Sequence, residues 1–324
     1  MWYNKSKYKV CGVKIVYISK LFLENFRCYD KFEIDFDKEL TVIVAENGQG
    51  KTAILDAVAI AMGPYLSCFA DGKARNIHET DVRQTVETAS KAQLEILRMK
   101  SQYPVIIGAE GDVEGQRIKW QRELNNAKGR TTMQHAKMLS NYGRRMVEAL
   151  RAKDDNNVVL PVIAYYGTGR IWKDSKLRNT IKNIDLERSS GYMDCLESTS
   201  SYANFGHWVK YAIMSAVEVE RIIAEKHLTE KNPYREVFKA VVQAIVTCIG
   251  SMGWTDIDYS FVRQNLVLKH KTRGILPIEA LSDGARSVIS MVADLSYRMV
   301  RLNPDLGINA VLKTPGIVLI DEVD

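Results

Sequence analysis

The stretch that most restricts what this chain can fold into is residues 41–52, TVIVAENGQGKT. Leu40 to Val44 is a short continuous apolar run, the pattern of a strand buried on both faces. A loop containing Gly48 and Gly50 follows it. Beyond the loop Ile54, Leu55, Val58, Ala61 and Met62 recur at helical spacing, and Gly63-Pro64 is expected to close that helix. Strand, glycine loop and helix succeed one another without a gap. The loop must therefore fold tightly, and the free N–H groups at the helix start converge on one point.

A point where backbone donors and the positive end of a helix dipole meet is a site for phosphate. Gly48 and Gly50 let the backbone come close to it, with Asn47 and Gln49 completing the loop. Lys51 is a cation able to reach outer phosphates, and Thr52 offers a hydroxyl to magnesium. The motif departs from G-x-x-x-x-G-K-[ST] at one place, Ala45. That residue starts the turn out of the strand, where alanine costs strain only if its φ is positive. A bare GK[ST] arises by chance in roughly one chain in five of this length, and Gly48 lowers that to about one in a hundred. The flanking strand and helix lower it further, so a turn that is merely glycine-rich is the weaker reading.

Two later segments supply the rest of a site. VLIDE (Val318–Glu322) is an apolar strand ending in two carboxylates: Asp321 is placed to hold Mg²⁺ opposite Thr52, and Glu322 to polarise an attacking water as general base. LSDGAR (Leu281–Arg286) opens a helix with Ser282 as N-cap. Ala285, Val288, Ile289, Val292, Leu295 and Met299 form its apolar stripe. Its free N–H groups together with Ser282 make a second anion site.

Around these segments the pattern is α/β. Residues 13–36 hold two alternating stretches expected to pair antiparallel, and YPVIIGAEGDVEGQRIKWQREL reads as two strands about a glycine turn. VVLPVIAYY (158–166) and GIVLID (316–321) are further buried strands, with strands also expected at 256–262 and 265–269. Helical spacing dominates 206–226 and 234–250. The expected parts are 13–124, a first lobe of the core; 125–255, a mixed, largely helical insertion; and 256–324, the second lobe. A strand directly before Asp324 is an odd stopping point, so the natural chain is expected to continue.

Composition excludes several classes. The net charge of +6 over 324 residues permits a polyanionic partner without demanding one. Five cysteines without C-x-x-C spacing fit reduced thiols, and the five histidines make no metal motif. No apolar run of about 18 residues and no h-region is present, so the expectation is a cytoplasmic protein with no membrane partner.

An L-S-x-G element opening a helix shortly before an acidic strand resembles the signature motif of ABC-type ATPases, and the order AENGQGKT (Walker A), LSDGAR, VLIDE (Walker B) matches that class. The resemblance implies an ABC-type P-loop ATPase head, a mixed sheet with flanking helices, using ATP and Mg²⁺. Lys51 and Glu322 are then catalytic, and Ser282, Asp283 and Gly284 act on nucleotide held by a second copy, which implies a head dimer. KLFLENFRCYDKFEIDF is similar to the L-x-x-N-F-R-x-[FY] opening of RecF and SMC-like ATPases, which implies that Arg27 approaches the phosphates. VIAYYGTGRIW lies where such ATPases enter the Q-loop; no glutamine stands there, and Arg170 is the candidate substitute.

AYYGTGR, LSDGAR and LNPDLG with GIVLIDEVD together look most like the PtuA-type ATPases of Septu and retron anti-phage systems. That resemblance implies an HNH nuclease subunit as partner, gated by the ATPase, and in the retron case a reverse transcriptase with its reverse-transcribed DNA/RNA. Two alternatives stay open: a RecF/SMC-like ATP-dependent clamp on DNA in repair, and the ATPase half of an OLD-type nuclease.

Overall fold

The computed structural model describes residues 16–91, 94–152, 158–167, 187–197, 202–227, 229, 232–260, 262–263 and 265–322, with the backbone alone for 88–91, 94–97 and 202–207. Strands β1 (Val16–Phe26) and β2 (Tyr29–Asp35) are the expected antiparallel pair, with Leu21 opposite Ile34. Helix α1 runs from Lys51 to Leu66, and strands β3 (Gln84–Lys91) and β4 (Leu94–Ser101) pair with each other. Strands β5 (Val105–Val113) and β6 (Gln116–Leu124) form the hairpin read from the sequence, and they join the first pair in a sheet of order β2-β1-β5-β6. One face of that sheet carries Val16, Ile18, Leu21, Leu23, Val105, Ile107, Ile118 and Trp120, all buried. Helix α1 packs against this face and α2 (Lys137–Arg151) packs against α1.

Strand β7 (Val162–Tyr166) meets β11 (Gly316–Ile320) in a parallel pair, with Ile320 opposite Tyr166. Helices α3 (Tyr202–Glu225) and α4 (Pro233–Ile249) precede an antiparallel sheet of β8 (Trp254–Ser260), β9 (Asn265–His270) and β10 (Gly274–Pro277). Helix α5 (Asp283–Leu302) and the short α6 (Ala310–Lys313) lead into β11. Buried apolar side chains form two clusters. The first draws on residues 16–196 with Leu302 and Leu319, and the second on residues 208–310. Leu139, Tyr142, Leu160, Val162 and Tyr192, inside the segment read as an insertion, thus pack in the first cluster.

Three expectations are corrected. Leu40–Val44 is not a buried strand: Val42 is 70% and Val44 89% exposed, and only Ile43 packs on the core. A strand exists as a member of a ladder, and among the described residues this run pairs with none. GIVLID is a strand, but of its apolar residues only Leu319 is buried. Gly63-Pro64 does not end α1, which continues to Leu66.

The last correction has an explicit chemical cause. Pro64 has no N–H for the carbonyl of Ile60, four residues earlier, and such a loss inside a helix ordinarily breaks it. Here the buried Arg122 of β6 takes over: its Nη1 donates to Ile60 O at 3.1 Å and Arg75 O at 2.5 Å, and its Nη2 to Asn76 Oδ1 at 2.7 Å. Trp120 Nε1 donates to Ala61 O at 2.9 Å. A Cβ on residue 63 would come within 2.7 Å of Arg122 Nη1, so glycine is what lets the guanidinium in. Burial pushes the pKa of Arg122 down to about 10, and the group still carries its proton near neutrality.

Arg122→Met should lower stability by about 2–4 kcal/mol, because buried carbonyls lose their donors. Adding Pro64→Ala, which restores an N–H to Ile60, should recover about 1 kcal/mol of that. Urea unfolding checks both: the midpoint should move with an unchanged slope, and a neutral Arg122→Met would refute the bracing.

Candidate nucleotide site

The loop before α1 has the backbone that phosphate binding needs. Gly48 has φ +83° and Gly50 φ +89°, while Ala45 is not among the residues with positive φ. Alanine there is therefore unstrained, as its position at the start of the turn implied. Gly50 is required twice over, because a Cβ would also lie 2.6 Å from both Cys28 Sγ and Tyr29 Oη. Tyr29 Oη donates to Gln49 O at 3.3 Å, so the turn between β1 and β2 props the loop from behind. Lys51 folds back over the loop, its Nζ donating to Ala45 O at 2.5 Å and Glu46 O at 3.2 Å. Two neutral carbonyls are ligands that an ammonium exchanges readily for anionic oxygens.

The acidic strand arrives beside this loop. Asp321 is buried, its N–H bound to Tyr166 O at 2.8 Å, and its Oδ2 accepts from Thr52 Oγ1 at 2.7 Å. Two residues far apart in sequence thus place hard oxygen donors side by side at a helix N-terminus. Their separation is close to the roughly 3 Å between neighbouring ligands of an octahedral ion held at about 2.1 Å, which fits Mg²⁺. Among the described residues no group of three or more His, Cys, Asp and Glu forms a metal cage. Glu322 follows, exposed, with φ +52°, so the chain turns out of the strand there.

Behind the loop lies a charged layer that the sequence reading missed. Asp56, one turn beyond Thr52, is 2.6 Å from Arg27 Nη2 and 2.8 Å from Arg75 Nη1, and Asp81 is 2.8 Å from Arg27 Nη2. Arg27 is the first residue of a two-residue hairpin turn, at φ +51°, where glycine is usual; its two carboxylate partners hold it there. Burial is the largest effect on Arg27 and opposes its charge. Asp56 and Asp81 together outweigh it and hold the pKa above its ordinary value. The guanidinium expected at the phosphates is thus bound to the acids of α1 and of the turn at Glu79–Asp81. The available signal was Asp56 itself: a lone acid inside an apolar helix must be paired if it is buried.

Helix α5 begins as read. Ser282 Oγ accepts from Ala285 N at 3.4 Å, and Ser282, Asp283 and Gly284 are all exposed, with Arg286 bonded to Asp283. Arg170 lies outside the described residues.

A glycine loop whose lysine and threonine face an acidic strand end defines a P-loop ATPase of mixed α/β fold. An AAA domain family model matches residues 20–232, and the chain belongs to that family. It is similar to the Retron Vc95 probable ATPase of Vibrio cholerae serotype O1 biovar El Tor, 25% identical over 96% of this chain, and to the Retron Ec83 probable ATPase of Escherichia coli, 24% identical over 95%. The chain spans 66% and 63% of the length of those relatives. The DNA replication and repair protein RecF of Clostridium acetobutylicum is 49% identical over 43 residues, 13% of this chain and 12% of that protein. Among solved structures, the SMC head domain from Thermotoga maritima aligns with 94% of this chain and 89% of its own at 13% identity and TM-score 0.41. The family model and the two retron relatives bear out the P-loop ATPase class expected from AENGQGKT and VLIDE and the relation to retron ATPases. Among the described residues no helix is long and apolar enough to cross a membrane.

Lys51→Ala should abolish ATP binding measured by calorimetry. Asp321→Ala should retain binding but lose its magnesium dependence, giving one affinity with Mg²⁺ and with EDTA; unchanged affinity of Lys51→Ala would refute the site.

Proposed function

We propose that this chain is an ATP-hydrolysing head that closes on nucleotide as a pair of copies and gates an effector nuclease in bacterial anti-phage defence. The observation that carries the catalytic part is the contact of Thr52 with Asp321. In this reading the N–H groups of residues 48–52 cradle the phosphates, and Lys51 transfers from its carbonyls to the outer phosphate oxygens. Thr52 and Asp321 would hold Mg²⁺, which when bound would supply positive charge against the phosphates. Glu322, beyond the strand end, orients and deprotonates the attacking water.

The exposed start of α5 supports the pairing. Ser282 and the following N–H groups are a ready anion site, and in this reading they complete the phosphate site of a second copy. Likeness to two retron ATPases over nearly the whole chain supports the defence role. The resemblance to PtuA-type ATPases adds an HNH nuclease subunit, or a reverse transcriptase with its DNA/RNA, as the partner.

Glu322→Gln should slow phosphate release about 10²–10⁴-fold with ATP affinity retained. Ser282→Arg should bind ATP normally but fail to pair in light scattering with ATP present, with turnover equally reduced. A Ser282→Arg chain that pairs and hydrolyses normally would overturn the pairing. Native copurification with neither a nuclease nor a reverse transcriptase removes the effector role, and ATP-dependent DNA retention on filters would put a DNA clamp in its place.

A further inference from the structure

Strand β7 ends in two tyrosines that point to opposite faces, as neighbours on a strand must. Tyr165 faces the side of α1, where burial and the nearby Asp56 carboxylate push its pKa up. Tyr166 faces α5: its hydroxyl donates to Asp294 Oδ2 at 2.8 Å, and the same oxygen accepts from Arg298 Nε at 2.7 Å. Arg298 Nη1 in turn donates to Gly191 O at 2.9 Å and Met193 O at 2.8 Å. All three side chains are buried, Tyr166 to 3% exposure and Asp294 and Arg298 to 2% each. Burial is the largest effect on Arg298 and opposes its charge, but Asp294, with Tyr166 and Cys195, outweighs it and keeps the pKa above its ordinary value.

The backbone of Tyr166 completes the link, because its carbonyl accepts the N–H of Asp321 at 2.8 Å. One residue therefore holds the magnesium-site acid through its main chain and the middle of α5 through its side chain. Ser282 lies 12 residues before Asp294 on the same rigid helix, about 18 Å away. A small rotation at Asp294 is carried along that length to Ser282, Asp283 and Gly284.

Apolar packing of the same volume often serves stability as well as a buried ion pair, but removing one member leaves the other charge unpaired, so Asp294 and Arg298 hold each other in place. Asp294 Oδ1 has no hydrogen-bond partner among the described residues, although it is buried.

We propose that Tyr166 is a positioning residue for hydrolysis, setting through Asp294 the angle at which α5 presents Ser282 relative to Asp321 and Glu322. Nucleotide seated at Thr52 and Asp321 is thereby matched to the helix that closes on the second copy. The inference rests on the pairing reading above.

The test uses the full chain carrying Glu322→Gln, which holds ATP, with dissociation of the pair measured by light scattering against protein concentration. Tyr166→Phe, which removes one oxygen, should weaken ATP-dependent pairing at least tenfold, leave ATP affinity within about twofold, and lower Tm by only about 2–4 °C. Tyr165→Phe is the matched control, an equally buried tyrosine on the same strand facing α1, and at saturating ATP it should pair like the parent. With Glu322 intact, Tyr166→Phe should lower kcat about tenfold at constant KM. If Tyr166→Phe pairs like the parent, or both tyrosine variants lose pairing equally, the positioning role is overturned while pairing stands. If the Glu322→Gln parent itself stays monomeric with ATP, the pairing reading falls and this inference falls with it.

Discussion

Everything in the first half of this molecule depends on keeping α1 helical inside the core. Thirteen of its 16 residues are buried, and one of them is Pro64. The carbonyl that Pro64 strands has no water to turn to, so a charged side chain is brought into the interior to satisfy it. Arg122 does more than cap one oxygen. It also holds the carbonyl of Arg75, whose guanidinium pairs with Asp56, which pairs with Arg27, which pairs with Asp81. A single chain of polar contacts thus runs along α1 from its proline to within one turn of the phosphate loop.

The same economy governs the second half of the site. Thr52 and Asp321 touch through one hydrogen bond, and Asp321 is in turn hung from the backbone of Tyr166. Charges buried on both sides of β7 are paired within hydrogen-bond distance, as burial requires. Such contacts add little net stability, yet each admits only one geometry. Rigid orientation is what a phosphate site needs, because catalysis of phosphoryl transfer is mostly positioning and electrostatics.

Much of this was legible in the chain alone, and the reasons are local. Positive φ at Gly48 and Gly50, the N-cap at Ser282 and the turn at Glu114-Gly115 follow from residue chemistry within a few positions. The alternation in β1 and the run in β7 follow from period. The failures are all non-local. LTVIV has the composition of a buried strand, but no neighbour offers it a ladder among the described residues. Gly63-Pro64 has the composition of a helix stop, but Arg122, about sixty residues on, removes the reason to stop. The pairing of Arg27 with Asp56 and Asp81 is likewise beyond any local pattern.

The sequence by itself determined a glycine loop with a lysine and a threonine at a helix start and an apolar strand ending in an acid, because tight turns, helix starts and buried strands are written in neighbouring residues. Only the tertiary structure decided which oxygens meet. Thr52 against Asp321, Tyr166 against Asp294 and Arg122 against Ile60 join positions from 62 to 269 residues apart. No periodicity encodes such pairings. They exist because a buried polar group, cut off from water, must find its partners among the groups the fold brings beside it.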